Sequence, residues 1–311
     1  MKVVARKYPK GTISVVVITY NQEQFLTKSL ESVFSQTRKA DEVIVVNNGS
    51  TDNTAKILDK YKSKITTISH KKNIGALQGG NSGLLKAHGD YVIILASDDW
   101  FAPTILEEES KILDQNPEIA VVYSQSVSVE GNRRTAKVAK PAGGKSVIGR
   151  WEFERLLTQG DFISYGTALI RRSVLKKHGL LDPFIKYRND YELWIRLARY
   201  YPFAYIAKPL AYYRIHNNYG IKSTGFLGSM EQELGYILKK HLPEEDKDLV
   251  KLRIQAYHAY YSLLFSENLL AGNFKKGWKF LLKSLQTKPL SFSHFTAWYP
   301  FAWYIKKKML L

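Results

Sequence analysis

The stretch "ISVVVITYNQEQFLTKSLESVFSQ" (13–36) changes its hydrophobic period in the middle. Residues 13–19 form an unbroken, mostly β-branched run, which is typical of a strand that is covered on both faces of its sheet. From residue 23 onwards the apolar side chains recur every three or four residues, as they do along one face of a helix. The stretch therefore predicts a strand followed by a helix that packs back on it.

The same alternation continues along the chain to residue 124. Further strand-like runs are "DEVIVVN" (41–47), "KITTIS" (64–69), "YVIILA" (91–96) and "IAVVYS" (119–124). Alternating strands and helices predict an α/β fold with a mostly parallel, Rossmann-like sheet flanked by helices. Residues 125–150 are polar, basic and rich in glycine, which predicts a loop. From about residue 225 the periodicity is helical, so we expect a helical C-terminal extension.

Polar side chains follow three of the predicted strands, at the point where each strand ends. They are Thr19, Tyr20 and Asn21 after the first strand, Asn47 and Asn48 after the second, and Asp98 and Asp99 after the fourth. Ligands of parallel α/β sheets bind at the carboxyl ends of the strands. We therefore expect these residues to lie around one ligand site.

The acidic pair in "LASDDWFAP" (95–103) needs a chemical explanation. Two adjacent carboxylates raise each other's pKa unless a positive group lies close to them. Mg²⁺ is commonly held by one or two carboxylates together with the phosphate oxygens of a substrate. The pair predicts a divalent cation site, while acidic decoration of a loop or a helix start is the alternative explanation.

The composition limits the classes of protein. The 311 residues include no cysteine, which excludes a disulfide framework, a thiolate metal site and a cysteine nucleophile. The net charge of +18 predicts attraction to an anion, such as a phosphorylated substrate, an acidic membrane or a nucleic acid. The N-terminus lacks the apolar segment of a signal peptide, and no run reaches the roughly 20 apolar residues that span a bilayer. We expect a cytoplasmic protein.

The C-terminal region is basic and aromatic. The segment "FKKGWKFLLKSLQ" (274–286) places five apolar residues on one helical face and its lysines largely off it; the five are Phe274, Trp278, Leu281, Leu282 and Leu285. Residues 289–305 contain no Lys, Arg, Asp or Glu and are rich in aromatic side chains. This pattern predicts peripheral contact with an anionic membrane surface, on its inner face. Packing of the apolar face on the rest of the protein is the alternative.

Four blocks, in this order, resemble the family 2 glycosyltransferases. The blocks are "SVVVITYNQEQFLTKSLESVFSQT" (14–37), "VIVVNNGSTDNT" (43–54), "NIGALQGGNSGLLKAHGDYVIILASDDWFAP" (73–103) and "GTALIRRSVLKKHGLLDPFIKYRNDYELWIRLA" (166–198). Members of this family are inverting nucleotide-sugar transferases of the GT-A fold. The resemblance implies a catalytic domain over residues 1–222, followed by a helical, basic and aromatic region over residues 223–311.

The resemblance also implies an activity and its partners. We expect a metal-dependent transfer of a sugar from a nucleotide-diphospho-sugar to an acceptor hydroxyl, in the assembly of a cell-surface polysaccharide or glycolipid. The expected cofactor is Mg²⁺ or Mn²⁺, since oxygen ligands suit both. The expected acceptor is a saccharide or is lipid-linked. No nucleic acid is expected as a partner, because no RNA-binding module is visible.

The family assigns roles to individual positions. In the nucleotide-sugar site, Tyr20 would lie against the base and Asp98 would bind the ribose, and Thr19 and Asn48 would complete the site. Asp99 would hold the metal, and His216 would contact the metal or the diphosphate. Asp190 would act as general base. A base is needed because an acceptor hydroxyl is a poor nucleophile until its proton is removed. The alternatives are stabilisation of a helix start for Asp190 and a surface loop for His216.

Four positions depart from the family pattern. Asn47 and Asn48 stand where two aspartates are usual, and Ala96 and Asn189 also replace acidic residues. Asn48 offers one acceptor and two donors, so uridine and thymidine diphosphates both stay candidates. A sugar-phosphate nucleotidyltransferase is disfavoured because no Gly-rich loop follows the first strand. A nicotinamide-dependent oxidoreductase, an RNA-binding protein and an inactive transferase are further alternatives, and the last is opposed by the presence of Asp99 and Asp190.

Overall fold

The computed structural model describes residues 10–131, 133–135, 147–149, 152–216 and 226–288. The chain divides into two compact units. The sheet unit takes Met1–Glu152, Asp161–Phe184 and Asn189–Tyr219, and the helical unit takes Phe153–Gly160, Ile185–Arg188 and Gly220–Leu311. The predicted boundary between residues 222 and 223 lies outside the described residues and stays a prediction.

The sheet unit is built on one mixed sheet. Its strands are β1 Ile13–Thr19, β2 Glu42–Asn47, β3 Thr66–Ser69, β4 Tyr91–Ala96, β5 Trp100–Phe101, β6 Val121–Glu130, β7 Arg133–Thr135, β8 Val147–Gly149, β9 Ala168–Arg171 and β10 Phe203–Ile215. The strand order is β3-β2-β1-β4-β9-β6-β10-β5, with β7 beside β6 and β8 beside β10. β3, β2, β1 and β4 run parallel, which confirms the predicted crossover half.

The helices alternate with the strands in the first half of the chain. They are α1 Glu23–Phe34, α2 Thr54–Lys60, α3 Ala76–Lys86, α4 Ile105–Gln115, α5 Glu152–Gln159, α6 Arg172–His178, α7 Asn189–Ala198, α8 Phe226–His241, α9 Val250–Leu270 and α10 Phe274–Thr287. Short 3₁₀ turns lie at Tyr165–Thr167 and Lys247–Leu249.

Both faces of the sheet are covered, as the run 13–19 predicts. Val15 and Val17 belong to a buried cluster that includes Leu26 and Leu30 of α1. On the opposite face, Gly83 of α3 packs against Val16, where a β-carbon at residue 83 would collide with the valine side chain. Apolar side chains fill most of both faces of β1, and the polar residues that follow it lie at the edge of the sheet.

One boundary in the second half of the sheet differs from the sequence-based expectation. β6 continues to Glu130, so the predicted loop begins later than residue 125. Residues 203–215 form one long strand, and its register against β6 shifts near Pro209. Proline lacks the N–H that a regular ladder requires, which accounts for an irregular register at that point. β9 is antiparallel to both β4 and β6, so the sheet is mixed.

The helical unit is held by close packing of α9 on α10 and by polar contacts. Gly277 allows the approach, because a β-carbon there would lie 3.2 Å from Cδ2 of Leu269. The Glu233 carboxylate of α8 accepts the main-chain N–H of Lys186 over 2.9 Å and also accepts those of the next two residues. Among the described residues, none of the helices combines the length and the hydropathy that crossing a bilayer requires.

Candidate active site

The carboxyl ends of the first, second and fourth strands meet at one edge of the sheet. Thr19 stands in register with Asn47, and the N–H of Asn48 donates to the carbonyl of Thr19 over 2.9 Å. After β4, the N–H of Ser97 donates to the carbonyl of Ile18 over 3.0 Å. The predicted meeting of these polar residues is confirmed for the backbone that carries them.

The loops after β1 and β2 are joined by reciprocal hydrogen bonds through Asn21. Its N–H donates to Oγ of Ser50 over 3.0 Å, and its Oδ1 accepts the N–H of Thr51 over 2.8 Å. Asn21 has a φ of +51°, a left-handed conformation that asparagine tolerates better than most residues. The preceding Tyr20 is 41% exposed, so its ring is accessible at this edge.

The two loops border a polar cleft of about 440 Å³. It is lined by Asn21, Glu23, Gln24, Thr51 and Asp52. Burial opposes ionisation of Asp52, but hydrogen bonds from the Thr54 side chain and the Glu23 N–H hold the pKa of Asp52 below its usual range. These hydrogen bonds favour the charged form of Asp52 at the edge of the cleft. Of these lining residues, the sequence predicts only Asn21 as part of the expected ligand site.

The side chain of Asn48 is buried and forms three hydrogen bonds. Its Nδ2 donates to Oδ1 of Asn73 and to the carbonyl of Gly75, each over 3.0 Å, and its Oδ1 accepts the N–H of Ile74 over 3.2 Å. Both amide hydrogens are thereby used, and one lone pair of Oδ1 is left for another donor. Asn48 thus fastens the loop before α3, and its contact with a base stays a prediction.

The acidic pair lies between the end of β4 and the end of β10. Oδ1 of Asp99 accepts the main-chain N–H of Arg214 over 2.9 Å, and Oδ2 of Asp98 lies 3.0 Å from Nε2 of His216. Burial raises the pKa of Asp99 well above its usual range, and the charge of Asp98 raises it further, while the N–H and charge of Arg214 act against both. The site therefore favours an additional positive charge.

The guanidinium of Arg214 lies between two aromatic rings. Its Cζ is 4.5 Å from the ring centre of Phe25 and 4.7 Å from that of Trp100. Its Nε donates to the carbonyl of Asp98 over 3.0 Å. Sequence reasoning did not assign this arrangement, although Trp100 directly follows the acidic pair. These contacts hold both the guanidinium of Arg214 and the loop that carries Asp98.

The donor set fits a hard divalent cation. Two adjacent carboxylates, one with a raised pKa, supply oxygen ligands and gain from a cation that reduces their repulsion. Among the described residues, no three or more His, Asp or Glu side chains surround one point. A cation at Asp98 and Asp99 would therefore take its other ligands from the substrate diphosphate and water. Ligation by His216 stays a prediction.

Asp190 lies in the first turn of α7, where its Oδ1 accepts the N–H of Tyr191 over 2.8 Å. This position agrees with the helix-start interpretation, and the general-base role of Asp190 stays a prediction. Burial, and then the charge of Asp190, raise the pKa of Tyr165. The Tyr165 hydroxyl lies near Gly80, where a β-carbon would be 3.9 Å from it and 3.4 Å from Cδ1 of Ile18. The charge of Asp190 therefore acts on a tyrosine whose hydroxyl lies close to α3.

Glu192 is a less suitable base than Asp190. Its side chain is fully buried and forms an ion pair with Arg196, whose Nη2 lies 2.9 Å from Oε2. Because Arg196 stabilises this buried carboxylate, we assign Glu192 a structural role in α7.

The sequence matches the model of the family described as Glycosyl transferase family 2 over residues 14–179. An uncharacterized glycosyltransferase of Methanocaldococcus jannaschii is 31% identical over 261 residues, which are 82% of this chain and 79% of that protein. The GalNAc(5)-diNAcBac-PP-undecaprenol beta-1,3-glucosyltransferase of Campylobacter jejuni is 28% identical over 287 residues, with 89% of each chain covered.

The fold is also similar to that of solved structures. S. aureus TarS 1-349 in complex with UDP-GlcNAc superimposes with a TM-score of 0.61 at 18% identity, covering 89% of each chain. The corresponding complex with UDP gives a TM-score of 0.59 at the same identity and coverage. At this identity the similarity concerns the fold, which agrees with the GT-A architecture expected from the sequence.

Proposed function

The chain belongs to glycosyl transferase family 2, and from this premise we propose that it transfers a sugar from a nucleotide-diphospho-sugar to an acceptor hydroxyl with inversion at the anomeric carbon. The observation that carries the proposal is the meeting of Asp98 and Asp99 with His216 and Arg214 at the carboxyl edge of the sheet. The family makes the chain an enzyme, and the acidic pair supplies a place for the diphosphate. A sugar-phosphate nucleotidyltransferase loses its support, because the matching family is a different one.

The donor is proposed to be a uridine or thymidine diphospho-sugar, with uridine preferred. TarS, which shares the fold, has been solved with UDP and with UDP-GlcNAc. Tyr20 is accessible for stacking on the base, and the preceding Thr19 has a buried hydroxyl with no hydrogen-bond partner among the described residues. Asn48 retains one acceptor position that suits the imide N–H of uracil or thymine.

The reaction requires one bond to form as another breaks. The acceptor oxygen attacks the anomeric carbon, its proton passes to the Asp190 carboxylate, and the nucleoside diphosphate leaves from the opposite face. A divalent cation bound at Asp98 and Asp99 would supply Lewis-acid stabilisation of the leaving group. Arg214 would position Asp98 through its hydrogen bond to the Asp98 carbonyl, and its guanidinium would lie near a diphosphate bound at the acidic pair.

The acceptor is proposed to be a saccharide, and a lipid-linked one in particular. The C. jejuni relative is named for a glucosyl transfer to an undecaprenol-linked glycan, and the similarity covers 89% of both chains. This supports a role in the assembly of a surface glycan. The cytoplasmic location and the lack of a nucleic-acid partner stay predictions.

The donor site is tested by the thermal stability of the protein with a panel of nucleoside diphosphates, each with and without Mg²⁺ or Mn²⁺. A ligand at about 100 times its Kd stabilises a protein by about 2.7 kcal/mol. We expect selective stabilisation by UDP or TDP that requires the metal and is lost in Asp99→Asn. Asp59→Asn, an exposed carboxylate of α2, is the control and should respond as the wild type does. An equal response to every base, or none, would contradict the proposed site.

A further inference from the structure

Helix α10 carries an exposed stripe of large apolar side chains. Phe274, Trp278 and Leu282 are 45%, 50% and 60% exposed, and they follow one another at intervals of four residues. Four residues advance about one turn of an α-helix, so the three side chains share one face. The face predicted from the sequence also includes Leu281 and Leu285; the structure buries Leu281 and half-buries Leu285.

The side of α10 that adjoins this stripe is firmly packed. Gly277, Phe280, Leu281 and Ser284 are buried, and Oγ of Ser284 lies 2.9 Å from Nδ1 of His258 on α9. The core of the helical unit therefore uses a different side of α10 from the exposed stripe. Substitutions in the stripe should leave the fold of the unit largely intact.

The charge of α10 has a single sign. The helix has lysines at 275, 276, 279 and 283 and no acidic residue. Lys276 pairs with Glu231 over 2.8 Å, and Lys283 lies 5.4 Å from the ring centre of Tyr261. Lys275 and Lys279 have no ion-pair partner among the described residues. Each follows a stripe residue by one position, about 100° around the helix, so both border the stripe.

We propose that the apolar stripe and its bordering lysines dock the protein on an anionic lipid bilayer, with Phe274, Trp278 and Leu282 at the boundary between headgroups and acyl chains. An apolar face bordered by lysines fits an interface that is apolar on one side and negatively charged on the other. Unpaired lysines fit a protein partner less well, because lysine is depleted at protein interfaces. The benefit of docking rests on the proposed function, since it brings the active site to a lipid-linked acceptor.

Vesicle flotation tests the proposal with the full chain and two lipid mixtures. We expect binding to vesicles of phosphatidylcholine with about 30% phosphatidylglycerol, weaker binding to phosphatidylcholine alone, and loss of binding as salt rises from about 0.1 M to about 0.5 M. The triple variant Phe274→Ala/Trp278→Ala/Leu282→Ala should lower the partition coefficient by at least about 100-fold. The matched control Leu85→Ala/Phe184→Ala removes two apolar side chains that are more exposed, in the sheet unit, and should bind as the wild type does.

The electrostatic part has its own matched pair of variants. Lys275→Gln/Lys279→Gln should weaken binding to the anionic vesicles by about 25-fold, at about fivefold per lysine. Lys56→Gln/Lys60→Gln removes the same charges at the same spacing from exposed positions on α2 and should have little effect. This pair also tests the proposal if the triple variant does not fold.

Three results would overturn the proposal: no binding to anionic vesicles, binding that the stripe and lysine variants leave unchanged, or a dimer in solution that the stripe variant dissociates. The second would place the lipid contact elsewhere in the chain, and the third would make a second copy the occupant of the stripe. UDP-dependent thermal stabilisation is measured on the same variants and should stay at the wild-type level. Failure of docking is thereby distinguished from failure of the proposed function.

Discussion

The main-chain N–H of Arg214 donates a hydrogen bond to Oδ1 of Asp99 over 2.9 Å. The side chain of Arg214 reaches the neighbouring residue, where Nε donates to the carbonyl of Asp98 over 3.0 Å. Two residues that lie more than a hundred positions apart in sequence therefore form one local structure. In this way β10 determines the orientation of the acidic pair that follows β4.

Arg214→Lys is expected to weaken the site although it keeps the positive charge. Lysine cannot donate from Nε in the same geometry or lie flat between Phe25 and Trp100. A hydrogen bond from a charged donor contributes about 1.5–3 kcal/mol. If this contribution is lost from the transition state, kcat/KM should fall by about 10- to 100-fold. Turnover and metal-dependent UDP affinity are to be measured together.

The control for this substitution is Arg172→Lys. Arg172 also donates to main-chain carbonyls, those of His88 and Gly89, which precede β4 at the opposite end of the strand. Its loss should lower stability without a specific effect on UDP affinity. Equal affinities for UDP in Arg214→Lys and the wild type would contradict a role for Arg214 in positioning the acidic pair.

Asp190→Asn is expected to abolish turnover and leave donor binding intact. The amide keeps the size of the side chain but accepts no proton from the acceptor hydroxyl, and general-base catalysis contributes about 10²- to 10⁴-fold. The hydrogen bond to the Tyr191 N–H survives, since the amide oxygen also accepts, so the helix start should persist. Turnover and calorimetric donor affinity separate the two effects, and a variant with full turnover would move the base to another residue.

Asn48→Asp and Asn47→Asp should behave differently, although both restore an aspartate that is usual in the family. Asn48 donates to two acceptors, so a carboxylate there would face Oδ1 of Asn73 and the carbonyl of Gly75. We expect a loss of about 1–3 kcal/mol in unfolding free energy. Asn47 uses its oxygen to accept the N–H of Ser50, which a carboxylate does equally well. Denaturant unfolding of both variants checks the contrast, and equal stability would show that the loop does not depend on Asn48.

Glu109→Gln is expected to stabilise the protein at neutral and alkaline pH. Glu109 of α4 is fully buried, and burial raises its pKa well above 4.5, although the Ser124 side chain and the Leu169 N–H lower it in part. The folded state therefore retains a proton that the unfolded state releases, and stability falls as the pH rises from about 4.5 towards the raised pKa. Each unit of raised pKa costs about 1.4 kcal/mol at higher pH.

The measurement is denaturant unfolding between about pH 5 and about pH 8. Glutamine carries no titrating proton, so the variant should lose stability less steeply than the wild type as the pH rises. Glu118→Gln, an exposed position just after α4, is the control and should follow the wild-type curve. Parallel curves for Glu109→Gln and the wild type would show that residue 109 titrates alike in both states.

Much of the site was predictable because it lies at strand ends. The apolar runs fix the strands, and parallel strands joined by crossovers direct their carboxyl ends to one edge, so Thr19, Asn48 and the Asp98–Asp99 pair had to lie near one another. The engagement of Asn48 by the loop at 73–75 was not predictable. It depends on a loop without periodicity, whose path is set by tertiary hydrogen bonds.

The sequence by itself determined the order of strands and helices in the first half, the family, and the identity of the acidic pair, because these follow from local periodicity and from motifs in a fixed order. Only the tertiary structure decided what surrounds that pair. The long strand β10 lies beside β6 and carries Arg214 and His216 to Asp99 and Asp98. Such pairing depends on contacts between residues distant in the chain, and local hydrophobic period contains no information about which distant strand will be the neighbour.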